Sequence, residues 1–285
     1  MFTAIVERFT GLLDDRLDAA AIVPVALWIG ATSAMSWLAS GRDVTSLTAV
    51  WSEAGLAAQL LWSLAFIGVV LLASLLLQAG GHGIIRAFEG YWGPARWLGR
   101  LGRLWHRRRV QTDDGLLAAD YPLEDADVLP TRIGNVLLSA EDYADRRYGM
   151  NAVVVWPRLH RVISDELRDD LAAARRQLEL PLNITTLAIV FVVTSLLVID
   201  SFGRADARLL ITCVASGTAV AVGGYASAVG AAQAYSALIR TAFDLHREDL
   251  AEVLGRELPA LDYEERLFWG DLVAFWHGNA PISRR

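Results

Sequence analysis

Apolar runs and charged stretches alternate along this chain on the scale of whole helices. The first run covers Ala19–Ala39 and the second Leu56–Ala79; after about a hundred polar residues come Leu180–Ile199 and Leu209–Ile239. Each run approaches or exceeds the ~20 residues an α-helix needs to cross a bilayer core, and none holds a charge inside. The pattern predicts an all-α integral membrane protein with four transmembrane helices in two pairs and a helical cytoplasmic module. The expected organisation is an amphipathic helix over 1–18, hairpin 1 over 19–79 and a central region over 80–179. Hairpin 2 follows over 180–239, then C-terminal helices over 240–285 that pack with the central region.

Helical periodicity extends into the polar parts. Phe2, Ile5, Val6, Phe9, Leu12 and Leu13 recur at helix spacing ahead of the first span. Thr131 is placed to cap a helix that Gly149 stops, and Ser164, followed by two acids, opens another that continues past Pro181 into the third span. Ala152–Trp156 is β-prone, yet alone it is too short for a sheet, so buried extended chain or a helix start is expected. Asp262 and Glu265 read as a capping pair for a last helix, with Leu267, Phe268, Leu272, Phe275 and Trp276 on one side.

Arginine placement orients the spans. Arg86, Arg96, Arg100, Arg103, Arg107, Arg108 and Arg109 follow the second run, and Arg168, Arg175 and Arg176 precede the third. The short loops 40–55 and 200–208 hold few. Basic residues stay cytoplasmic, so both termini and the central region are expected inside. All 26 basic residues are arginine, which excludes lysine chemistry, and the net charge of −6 argues against nucleic acid. The one cysteine, Cys213, lies in the fourth run and reads as a packing residue.

Between Gly93 and Arg109, Arg96, Arg100, Arg103 and Arg107 fall within about 60° of helix arc, with Trp97, Leu101, Leu104 and Trp105 beside them. This describes either a helix lying on anionic lipid or arginines that enforce topology and pair with acids of a neighbouring domain. The acidic stretch 110–127 reads as a solvated loop, and so do the polar groups of FDLHRED near His246.

LPTRIGN at 129–135, RYGMNAVVVWPRL at 147–159 and FDLHR at 243–247 resemble stretches of a functionally uncharacterised group of bacterial four-span membrane proteins. The resemblance implies the layout and an inner (cytoplasmic) membrane location; it brings no catalytic residue with it.

The five histidines form no metal-ligand spacing, and no phosphate-binding loop or nucleophile motif is present. No catalytic, cofactor-binding or metal residue is assigned, and no enzyme activity is expected. Within the spans two patterns remain. Thr32, Ser33, Ser36 and Ser40 lie within about 100° of arc and are candidates to face a pore, against helix packing as the plainer reading. Gly217, Ala219, Gly223, Ala226 and Gly230 are candidates for close helix packing or oligomer contact. The sequence reading is a homo-oligomer that forms or gates a passive, channel-like pathway. Its alternative is a non-conducting scaffold or signalling component whose cytoplasmic module docks a protein partner.

Overall fold

The computed structural model describes residues 19–92, 97, 99–112, 120–122, 124, 126–201 and 207–278. The expected amphipathic helix over 1–18, Pro94, Arg96 and the last residues, 279–285, lie outside them. Among the described residues there are ten helices and no strand: α1 Ala19–Ala39, α2 Val44–Glu53, α3 Leu56–Ala79, α4 Gly81–Glu89, α5 Gly99–Thr112, α6 Arg132–Tyr148, α7 Ala152–Leu159, α8 Asp165–Ser201, α9 Ala207–Val253 and α10 Asp262–Trp276. Four of them, α1, α3, α8 and α9, are long and apolar enough to cross a membrane. This is a multi-pass membrane protein.

The chain forms two compact units, Met1–Ile85 with Glu179–Ser227, and Arg86–Leu178 with Ala228–Arg285. All three divisions, after Ile85, Leu178 and Ser227, fall inside helices. α8 has 37 residues and α9 has 47, so each exceeds the ~30 Å hydrocarbon core by a wide margin at 1.5 Å per residue. Pro181 sits within α8 without ending it. The ring removes one backbone donor, and the Thr185 hydroxyl donates to the Pro181 carbonyl at 2.7 Å.

In the first unit α1 packs on α3. α8 and α9 run antiparallel, and α9 can approach because it lacks side chains there. A Cβ on Gly217 would lie 2.6 Å from Val192 Cγ2, and one on Gly224 would lie 2.5 Å from Thr185 Oγ1. Met35, Ala39 and Cys213 close the packing with Phe191, Val198, Leu209 and Leu210 around them. The segment 40–55, read as a plain loop, contains the short helix α2, which buries none of its residues.

The second unit has its own core, built from Ala144, Met150, Val155, Leu159, Ile163, Phe243, Leu250 and Trp269 among others. The core draws on α6, α7, the start of α8, the end of α9 and α10, with Met150 and Ile163 supplied by the turns on either side of α7. Thr131 caps α6 by accepting from the Gly134 N–H at 3.1 Å, and Gly149 ends it in the left-handed region at φ 73°. The β-prone run at 152–156 is helical: Asn151 caps it by accepting from the Val154 N–H, and Pro157 falls inside the helix.

α10 departs from its sequence reading. Its cap position is Leu261, with no side-chain cap, and Asp262 is already helical. Glu265 is unavailable for a capping pair because it is buried, accepting from Arg247 Nε at 3.1 Å and Trp269 Nε1 at 3.3 Å. The inward face is therefore rotated from the expected one. Trp269 and Leu272 are buried with Phe268, Val273 and Trp276 against them, while Leu267 and Phe275 are exposed.

Candidate functional site

Three of the four hydroxyls expected to line a path, those of Thr32, Ser36 and Ser40, donate back to carbonyls of the same segment. Thr32 Oγ1 donates to the Trp28 carbonyl at 2.8 Å, Ser36 Oγ to Thr32 at 2.8 Å and Ser40 Oγ to Trp37 at 2.6 Å. The same back-bonding recurs at Ser74, Thr186 and Ser195. A hydroxyl bonded four residues back costs little in hydrocarbon and does not require water. Ser33 and Ser40 are exposed, and Thr32 and Ser36 are partly covered.

The small residues of α9 divide between two faces. Gly217 and Gly224 meet α8, whereas Ala219, Gly223, Ala226 and Gly230 are all exposed, about 140° round the helix. A Cβ at Gly223 or Gly230 would meet nothing within 4 Å. Of the five candidates, Gly217 is an intrachain contact and the other four form an open stripe.

An apolar cleft of about 530 Å³ lies within the first unit, between α1, α8 and α9, with Pro24, Trp28, Leu187 and Phe191 among its walls. Its walls suit hydrocarbon, and the buried Trp28 indole N–H beside it has no hydrogen-bond partner.

α5 is fixed in rotation by its glycines. A Cβ at Gly102 would sit 2.5 Å from the Pro130 carbonyl oxygen, and one at Gly99 would touch the Pro130 ring. His106 is buried on the same face and hydrogen-bonds through Nδ1 to the buried Tyr121 hydroxyl at 2.8 Å. Arg107 reaches the Ala126 carbonyl at 3.4 Å, and Arg103 is half-buried against Gly99. The four-arginine face therefore divides: Arg103 and Arg107 turn inward, and Arg100 is exposed together with Trp97, Leu101, Leu104, Trp105 and Arg108.

No protein-family model, curated protein or solved structure matches this chain.

The most connected polar site escaped the sequence reading. Asp244 on α9, placed with a solvated face, accepts from Tyr148 Oη at 2.7 Å and from Tyr143 Oη at 2.9 Å, both on α6. Arg247, one turn on, lies with its guanidinium 4.8 Å from the Tyr148 ring centre, donates to the Asp244 carbonyl and holds Glu265. Arg240 donates to Ser139 Oγ at 2.8 Å, Ser236 to the Val136 carbonyl at 3.1 Å, and Gln233 to Asp120 at 2.6 Å. Asp120, read as part of a solvated acidic loop, also pairs with Arg132 at 3.6 Å; Asp113, Asp114 and Asp125 lie outside the described residues. Burial pushes both tyrosine hydroxyls up from their ordinary pKa, and the hydrogen bond to Asp244 adds to it. In FDLHRED only the outer residues match the solvated reading: Glu248 and Asp249 are exposed, and Asp249 pairs with His246 at 2.7 Å.

The geometry gives these groups a positioning role. Gln233, Ser236, Arg240 and Arg247 donate to Asp120, α6 and α10, and Asp244 accepts from α6, so the ladder locks the rotation of α9 in this unit. One signal was available in the sequence: Gln233, Ser236, Arg240, Asp244 and Arg247 recur every three or four residues, which places them on one helix face.

Proposed function

We propose that this protein is a self-associating, non-conducting membrane scaffold that holds a helical module at the cytoplasmic face for a protein partner. The observation that carries the reading is the back-bonding of the span hydroxyls, above all Thr32, Ser36 and Ser40, which satisfies them without a water-filled path. Arginines at the inner ends of the spans favour an orientation with both termini in the cytoplasm, and the resemblance of its motifs favours a bacterial inner membrane. Self-association is supported by the open stripe Ala219, Gly223, Ala226 and Gly230, which leaves α9 a second face for close approach. Tyr263 and Leu267, exposed one turn apart on α10, offer the partner an apolar contact beside the buried Trp269. The module also meets anionic lipid, through α5.

The rival reading, a passive pathway formed between copies, shares this stripe for assembly and takes Thr32, Ser33, Ser36 and Ser40 as its polar lining. Reconstitution of the purified full chain into liposomes separates them. The scaffold reading expects ion efflux no faster than from empty vesicles, with an oligomer seen by native mass spectrometry. Efflux that grows with protein content and disappears on Thr32→Leu or Ser36→Leu would reverse the assignment.

A further inference from the structure

α5 has the composition of a surface-seeking helix, GRLGRLWHRRRVQT, with five arginines and no acid. Composition alone leaves its orientation open. The structure closes that question, because Gly99, Gly102 and His106 face inward and Pro130 and Tyr121 occupy the space before them. Any side chain larger than hydrogen at 102 would meet backbone, so the helix has no second way to sit. Its outer face then carries Leu101, Leu104 and Trp105, with Trp97 just ahead of the helix; Trp97, Leu101, Leu104 and Trp105 are 65%, 78%, 53% and 55% exposed. Arg100 and Arg108 share this outer face.

We infer that this outer face is a binding site for the anionic surface of the bilayer, and that Arg100 and Arg108, exposed where Arg103 and Arg107 are part-buried, contact headgroup phosphates. Three observations select lipid over other occupants. Two tryptophans and two leucines form a contiguous apolar strip, the composition that partitions at the headgroup level. The helix carries only positive charge, complementary to anionic headgroups. It also begins only 20 residues after Ala79, the end of a candidate span, so the chain has just left the membrane. The strip enters the headgroup region, the two outer guanidiniums reach phosphate, and Arg103 and Arg107 remain with the protein.

This deepens the lipid contact of the proposed function and rests on its orientation, but not on the absence of flux. The test uses the full chain in nanodiscs, with Cys213→Ala removing the one native cysteine. A nitroxide is attached at Leu101→Cys, with Leu104→Cys as a second reporter and Glu257→Cys, exposed in the same unit, as the aqueous control. Collision with oxygen and with a water-soluble nickel chelate is measured in phosphatidylcholine with and without phosphatidylglycerol. Labels at 101 and 104 should favour oxygen in the anionic bilayer, with nickel collisions reduced several-fold relative to 257. R100Q/R108Q should restore those collisions at least twofold, whereas R103Q/R107Q should leave them unchanged at matched stability. Labels that collide with nickel as freely as 257 overturn the proposal. So do labels shielded from both reagents, which would mean a protein occupant, and so does equal depth in neutral lipid. In each of these cases a non-conducting liposome result would still leave the scaffold reading standing.

Discussion

Asp244→Ala should loosen the second unit through the tyrosines it leaves behind. The carboxylate accepts Tyr148 Oη at 2.7 Å and Tyr143 Oη at 2.9 Å, and a hydrogen bond to a charged group contributes about 1.5–3 kcal/mol. Both tyrosines are only partly buried, so water recovers part of each bond after the deletion. The expected cost is roughly 2–4 kcal/mol, against about 1–2 kcal/mol for Tyr148→Phe, which leaves Tyr143 on the carboxylate. At about 2–4 °C per kcal/mol for a unit of this size, Asp244→Ala should lower Tm by roughly 5–15 °C in detergent. Scanning fluorimetry gives the midpoint, and hydrogen exchange over 132–148 shows whether α6 is the part released. Because the pair interacts, Asp244→Ala with Tyr148→Phe should cost at least ~1 kcal/mol less than the sum of the two. The pH dependence has a definite sign. Both tyrosines have folded pKa values raised above the unfolded ~10, so their contribution is complete below pH ~10 and is lost as pH rises beyond it. Tyr148→Phe should flatten that alkaline decline. Additive costs, or an Asp244→Ala protein as stable as wild type, would refute the network.

Gly134→Ala should be more damaging than its size implies, by about 3 kcal/mol or more, since its Cβ would lie 2.1 Å from the Glu89 carbonyl oxygen. Gly270→Ala, with nothing within 4 Å, should instead gain up to ~1 kcal/mol; the two midpoints check this together. Gly223→Leu should lower the oligomeric state by native mass spectrometry without unfolding the chain, whereas Gly224→Leu should disrupt the α8–α9 crossing itself. In intact cells, a Cys213→Ala chain with a cysteine at Thr45 should react with an impermeant thiol reagent and one at Glu257 should not; labelling at 257 would invert the topology.

What the sequence made legible was whatever depends on a single helix. The four spans follow from uncharged length, and the ends of α6 follow from Thr131 and Gly149, because capping needs only neighbours three or four residues away. The Asp244 site was hidden because its partners lie 96 and 101 residues away, and a helix wheel shows a polar face without showing what it meets. Glu265 shows the opposite failure. Its spacing from Asp262 fits a local cap, but a tertiary partner, Arg247, holds it instead. For α5 the periodicity set an arginine face beside an apolar one and could not say which residues the fold covers; the arginine face divides, and that depended on Pro130, about thirty residues on.

The second unit is assembled from chain on either side of hairpin 2, and this has a consequence for synthesis. Val155, Leu159 and Ile163 emerge from the ribosome well before Phe243 and Trp269, the large residues that cover them. At ~5–20 residues per second, the roughly one hundred residues between them leave that apolar surface open for several seconds. During that interval α8 and α9 must also enter the membrane. Insertion of hairpin 2 is therefore the step that delivers the missing half of the core, and an insertion defect should appear first as a chaperone-bound, protease-sensitive nascent chain.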